Sequence, residues 1–328
     1  MHIAITGGAG FLGLRLARAI LRDGLDGRAV ERMTLIDRAH RDEIDDPRVM
    51  LAAGDIADPA FIAQALSQPV DILYHLAAVV SSEAEADFDL GMKVNVDASR
   101  LLLEACRDAG NRPRVVFTSS VAVFGPFAKG QAITEDTSVD PQSSYGMEKA
   151  VGELLLKEYS RRGFVDGLVL RLPTISVRPG LPNRAASSFA SGIIREPLAG
   201  VPSICPVDPA TCLWLMSPRR AIGALQRAAV LDADAIAARR VINLPGITVT
   251  VAQMLDVLSE LGGAGARALV TFDRDAAVER IVASWPRCWD DGVARSLGFA
   301  ADVDLREIVQ SFIDDDLPGQ RSLAAMAP

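Results

Sequence analysis

Tyr145 and Lys149 stand four residues apart in Tyr145-Gly146-Met147-Glu148-Lys149. On a helix that spacing puts both side chains on one face. A tyrosine beside an ammonium can oxidise an alcohol, taking the hydroxyl proton as hydride leaves the carbon. A free tyrosine has a pKa of ~10, so a base poised near neutrality needs lowering by about 3 units, or ~4 kcal/mol. One ammonium at ~4 Å, in an effective dielectric of ~20, supplies roughly that amount. Lysine is scarce: the chain has 34 basic residues, and only Lys93, Lys129, Lys149 and Lys157 are lysines. One of the four therefore falls beside the tyrosine. A hydroxyl cluster, Thr118-Ser119-Ser120, precedes the pair. Ser120 can hold the substrate hydroxyl or carbonyl, with Ser119 beside it. An isolated Tyr-x-x-x-Lys pair carries little weight, so the surrounding elements must decide.

Those elements begin with Gly7-Gly8-Ala9-Gly10-Phe11-Leu12-Gly13, which follows an apolar run (His2–Thr6) and opens a helical pattern (Phe11–Arg22). Gly7 suits the tight turn, Gly10 admits a pyrophosphate against the backbone, and Gly13 lets helix and strand pack closely. The helix N-terminus adds free N–H groups and partial positive charge. Strand, glycines and helix in that order point to a dinucleotide, with Phe11 and Leu12 against it. Asp37 closes the second predicted strand, where a carboxylate accepts from both ribose hydroxyls and repels a 2′-phosphate. That favours NAD over NADP, although the neighbouring Arg38 suits a 2′-phosphate. Asp55 and Ile56 follow the third strand; Asp55 can reach an adenine amino group or serve a turn. Leu76-Ala77-Ala78 ends the fourth strand with small residues that let a cofactor lie close, and Pro173 follows the sixth. Asn95 fits either a supporting role beside this site or plain solvation of a helix surface.

Strands are predicted at His2–Thr6, Met33–Asp37, Val49–Ala53, Ile72–Leu76, Val115–Ser119 and Gly167–Leu172. Helices are predicted at Phe11–Arg22, Pro59–Leu66, Asp89–Ala109 and Ser144–Arg161. The alternation implies right-handed crossovers and an α/β Rossmann-type, doubly wound parallel sheet over residues 1–172. Ligands in such sheets bind at the carboxyl ends of the strands, where the Thr118–Ser120 cluster would sit. Residues 173–218 are rich in Pro, Ser and Arg and show little periodicity. Beyond them lie a helix opened by Ser217-Pro218, a strand at Val241–Leu244 and a Thr250-capped helix stopped by Gly262-Gly263. A short strand (Leu269–Phe272) and helices at Arg274–Ala283, Asp291–Leu297 and Leu305–Ile313 follow. Residues 173–317 thus read as a smaller α/β substrate lobe, partly woven back into the first domain, and 318–328 as a mobile tail.

The 328 residues carry a net charge of −8, which argues against a nucleic-acid binder. No stretch reaches the ~20 apolar residues of a membrane span, and the first residues run at once into glycines without a signal-peptide pattern. Four scattered cysteines without a CxxC pair suit a reducing cytoplasm and suggest no metal site. The charge is uneven. Ser160–Arg220 holds eight arginines and three acidic residues, a net +5. Arginine offers carboxylates and phosphates a bidentate fork, so an anionic substrate is expected, which a small sugar acid or a diphosphate sugar would equally satisfy. Arg178 and Arg184, in the irregular stretch, are the best candidates to hold it. Arg161 and Arg162 suit a helix end, and Arg195 fits a surface position equally well.

Three segments, Thr6 to Gly13, Ser119-Ser120-Val121-Ala122-Val123-Phe124-Gly125 and Tyr145 to Lys149, together resemble the extended short-chain dehydrogenase/reductase superfamily. The resemblance runs in order over about the first 175 residues. It implies Tyr145 as base, Lys149 as its partner and ribose ligand, Ser120 as the substrate-orienting residue, and a homodimer built through two helices per subunit. The distal half departs from the superfamily's epimerases. Arg171-Leu172-Pro173-Thr174-Ile175-Ser176-Val177-Arg178-Pro179-Gly180 replaces their asparagine-aromatic-glycine-proline turn. Trp214–Pro218 replaces an aspartate-aromatic-valine-aspartate pattern. With Ser187–Leu198, these segments resemble the D-erythronate dehydrogenase family, which implies NAD-dependent oxidation of a sugar acid at its 2-hydroxyl. The alternative is a nucleotide-diphosphate-sugar epimerase with tightly held NAD.

Overall fold

A computed structural model describes residues 1–39, 44–126, 132–181, 186–287 and 289–326. Its first half builds a sheet from β1 (His2–Thr6), β2 (Arg32–Asp37), β3 (Val49–Ala53), β4 (Ile72–His75), β5 (Arg114–Ser120) and β6 (Asp166–Leu172). Between them run α1 (Phe11–Asp23), α2 (Pro59–Ala65), α3 (Ser81–Ala86), α4 (Phe88–Gly91), α5 (Ala98–Ala109) and α6 (Ser144–Arg161). The second half adds β7 (Thr174–Ile175), β8 (Ser203–Cys205), β9 (Cys212–Met216), β10 (Val241–Asn243), β11 (Ile247–Thr250) and β12 (Val270–Phe272). Its helices are α7 (Ser188–Leu198), α8 (Pro218–Val230), α9 (Val251–Ala268), α10 (Ala276–Ala283), α11 (Gly292–Ser296), α12 (Leu305–Asp315) and α13 (Leu317–Met326).

The main sheet has seven parallel strands in the order β10-β6-β5-β4-β1-β2-β3. Its central strands are buried on both faces, as their continuous apolar runs require. On one face Leu16 and Ile20 of α1 pack with Leu225 and Ala228 of α8. On the other lie Ile62 of α2, Leu102 and Leu103 of α5, and Leu156 of α6. This is the expected Rossmann-type sheet. Strand β10 comes from the second half yet joins the edge of the sheet beside β6. A separate core forms where α7, α9 and α12 enclose β9 and β11.

Three features differ from the sequence reading. The long helix over 89–109 is interrupted by a π-helix at Met92–Asp97. The Gly262-Gly263 stop is a kink within α9, where Gly263 alone leaves helical geometry. The tail expected to be mobile forms α13, seated through buried Leu317 and Gln320.

Candidate active site

The carboxyl ends of β1, β2, β4 and β5 open onto one cavity of about 520 Å³. Its cofactor end starts at Gly7, whose left-handed φ of 69° turns the chain out of β1. A Cβ on Gly13 would stand 2.2 Å from the Gly7 carbonyl oxygen, so only glycine lets α1 start this close. The backbone N–H groups at that start face the cavity instead of a capping side chain, since Gly10 supplies none. This bare, glycine-lined helix end fits a pyrophosphate. Asp37 accepts from the Ala9 N–H (3.0 Å) and the Arg38 N–H (2.7 Å), bracing the loop from the end of β2.

Gly7, Gly10, Phe11, Leu12, Asp37, Asp55, Ile56, Leu76, Ala77, Ala78 and Pro173 all line the cavity, as do Ser120, Tyr145, Lys149 and Arg178. Asp55 serves its turn by accepting from the Ala57 N–H at 2.9 Å, and it pairs with Lys93 at 2.9 Å on the rim. Of its two readings, Asn95 takes the supporting one and is not a solvated surface residue. It lies buried behind the wall, accepting from the Val79 N–H (2.9 Å) and donating to the Val79 carbonyl (3.1 Å) and to Glu148 (2.6 Å). It shapes the wall and does not itself line the cavity. Ser119 lines the cavity too, and its hydroxyl donates to the buried Glu153 carboxylate at 2.5 Å. That carboxylate is forked by Arg171, at 2.8 and 2.6 Å. Ser120, one residue on, accepts from the Ala122 N–H at 3.2 Å and donates to no protein group among the described residues. Arg184 lies outside the described residues.

A wall-building relay runs beneath the cofactor end. Ser99 donates to the Asn95 carbonyl (2.6 Å), so His75 Nε2–H donates to Ser99 Oγ (2.9 Å) and His75 Nδ1 accepts from Thr6 Oγ1 (2.8 Å). Thr6 in turn accepts from the Ala77 N–H at 3.3 Å. Burial, with Lys149 nearby, holds the His75 imidazole down to about 3, so it stays neutral.

Lys149 donates to the Thr118 carbonyl at 3.0 Å, and its Nζ lies 5.6 Å from the centre of the Tyr145 ring. Burial pulls its ammonium down to about 8, against the favourable charges of Glu148 and Glu153. Burial pushes the Tyr145 hydroxyl up to about 12, and the cation that pulls it back is Arg178. Burial thus outweighs the pull of Arg178 on the Tyr145 hydroxyl.

Arg178 and Arg195 supply the positive charge opposite the sheet. Arg178 reaches Ser187 Oγ at 3.5 Å and has no carboxylate partner among the described residues. Burial disfavours its charge, as does Arg195. Arg195 is buried, where a surface position had been equally plausible; it pairs with Glu196 and donates to the Arg178 carbonyl at 2.7 Å. Two further arginines of the basic stretch are engaged elsewhere, Arg219 with Asp315 and Arg220 with Glu307. Trp285, which the sequence reading passed over, also lines this end. Among the described residues no group of three or more His, Cys, Asp or Glu could hold a metal ion. No described helix is long and apolar enough to cross a membrane.

The model of the NAD dependent epimerase/dehydratase family matches residues 3–206. The chain belongs to that family. Within it, the D-erythronate dehydrogenase of Cupriavidus necator is 54% identical over 323 residues, covering 96% of this chain and 98% of the relative. The D-erythronate dehydrogenase of Haemophilus influenzae is 42% identical over 318 residues, covering 97% and 100%. A solved structure described as a nucleoside-diphosphate-sugar epimerase from Agrobacterium tumefaciens superimposes with a TM-score of 0.91 at 42% identity, covering 97% of this chain and 95% of that one. Membership of the D-erythronate dehydrogenase family, which the distal segments had suggested, follows. The protein is an NAD-dependent oxidoreductase of the extended short-chain dehydrogenase/reductase type.

Proposed function

We propose that this protein oxidises the 2-hydroxyl of a small sugar acid, converting D-erythronate to 2-dehydro-D-erythronate with NAD as hydride acceptor. One observation carries the reading: Arg178 faces the cavity without a carboxylate partner among the described residues, and its charge is felt by Tyr145. A half-buried cation without a counter-ion is costly, and a substrate carboxylate offsets that cost. The names of the two relatives point the same way.

In this reading Arg178 holds the carboxylate and Ser120 donates to the substrate oxygen. Tyr145 Oη takes the hydroxyl proton as the hydride leaves C2. Bound NAD supplies the hydride acceptor and, oxidised, a positive ring that favours the Tyr145 phenolate. Lys149 holds the ribose, and its ammonium pulled down to about 8 can exchange protons near neutrality. Asp37 accepts from the adenosine ribose hydroxyls, which supports NAD over NADP.

A second reading, a nucleotide-sugar epimerase, draws on the description of the Agrobacterium tumefaciens structure. Absorbance of the reduced cofactor separates the two. Stoichiometric NADH from D-erythronate, and from neither L-threonate nor D-threonate, supports the first. Conversion of a UDP-sugar with no net NADH overturns it.

A further inference from the structure

We propose that α13 is a brace on the substrate side of the cavity, with Gln320 and Arg321 as positioning residues for Arg178 and Arg195, an inference that rests on the sugar-acid reading of that side. Gln320 is 6% exposed. Its Oε1 accepts from the Gly180 N–H at 2.8 Å, and its Nε2 donates to the Gly180 carbonyl at 3.3 Å. Both ends of the amide are thus committed to one peptide residue, two positions beyond Arg178. Gly180 has a left-handed φ of 92° and no side chain to pack, so this stretch can be gripped only by its backbone. A buried amide is costly unless both its donor and acceptor are used, and here both are used on the loop that carries the cavity arginine.

The next residue grips the other arginine-bearing segment. Arg321 donates from Nε and Nη2 to the Leu198 carbonyl, each at 3.4 Å. Leu198 ends α7, where carbonyls lack helical partners and a cation is favoured. Arg195 lies one turn earlier on α7 and closes the circuit by donating to the Arg178 carbonyl. At the other end of the brace, Asp316 pairs with Arg15, whose guanidinium stands 4.8 Å over the ring of Phe11 in the cofactor wall. One ten-residue helix therefore clamps the two segments bearing the anion-facing arginines, and the residue just before it touches the cofactor helix.

The test uses the full chain with Gln320→Met, which removes both hydrogen bonds at nearly constant volume, and Arg321→Met, an exposed position that cannot unfold the core. Hydrogen exchange of the peptide containing Gly180 is the first readout. KM for D-erythronate, KM for NAD and kcat are the second. With the brace acting as proposed, Gln320→Met exchanges at Gly180 ~10-fold faster or more and raises KM for D-erythronate ~3- to 10-fold. Arg321→Met raises that KM about 2- to 3-fold. KM for NAD stays within about twofold in both, as does kcat. Unchanged exchange at Gly180 overturns the brace. So does a parallel rise of both KM values with a lowered melting temperature, the mark of a merely structural role. If the wild type does not oxidise D-erythronate, the substrate reading fails, and the exchange data still decide the brace. If Gln320→Met does not fold, the split of KM values in Arg321→Met decides it.

Discussion

Arg195 donates from Nη1 to the backbone carbonyl of Arg178 at 2.7 Å. A buried guanidinium, neutralised by Glu196, thus fixes the backbone of a second guanidinium that has no carboxylate partner among the described residues. In the proposed function the pair divides the labour: Arg195 orients, and Arg178 binds.

Replacing Arg178 with Ala should therefore raise KM for D-erythronate by ~100-fold, the loss of one charge-assisted contact of about 2–3 kcal/mol. KM for NAD should change by less than about threefold. Steady-state kinetics with each substrate varied in turn check this, and equal losses for both would count against Arg178 as the carboxylate ligand.

Tyr145→Phe should lower kcat by ~10³-fold while leaving NAD binding intact. The pH profile carries the sign. Burial raises the hydroxyl toward about 12 and Arg178 opposes that rise, so removing the cation destabilises the phenolate. The rising limb of kcat/KM, where the base of the free enzyme ionises, should move to higher pH in Arg178→Ala. A shift to lower pH would separate the two residues.

Asp37→Ala should erode the preference for NAD, with kcat/KM for NADP rising ~10-fold or more relative to NAD. Affinity for both should fall somewhat, because the Ala9 N–H loses its acceptor. Cofactor titrations monitored by fluorescence give both quantities.

His75 predicts a pH dependence of stability. Its folded pKa is lowered to about 3 from 6.5, so between those values the unfolded chain binds the extra proton. Stability contributed by this group is present above 6.5 and lost as pH falls toward 3. Unfolding free energies from denaturant titrations at pH 7 and 4.5 should differ by roughly 2–3 kcal/mol from this residue alone. In His75→Gln, which keeps a donor and an acceptor but does not titrate, that part of the difference should vanish.

The cofactor half was legible from the chain because its signals are local. Strand β3 and helix α6 run over the residues the periodicity marks, and Gly7 to Gly13, Asp37, Tyr145 and Lys149 meet in one cavity as their spacing requires. The substrate half was not. Strands β7, β8 and β12 are two or three residues long, too short for alternation to register. Their partners are remote, with Ser203 opposite Val270. Helix α7 buries nearly its whole circumference, so it has no polar face to mark its period, and Arg195 looked as exposed as any arginine. The roles of Asn95 and Ser119 were hidden for another reason. Each is fixed by a carboxylate on α6 more than 30 residues away, and spacing along the chain does not encode that.

Strand β10 has one more consequence, for synthesis. A nascent chain that has reached residue 172 already holds every residue of the other six strands of the main sheet, yet β6, apolar on both faces, is still an open edge. The ladder is completed only when Val241–Asn243 pair with Val169–Arg171. Some seventy residues must be made in the interval, and an unpaired apolar edge is an invitation to the wrong neighbour. The late strand is therefore also the cap that ends an aggregation-prone interval on the ribosome.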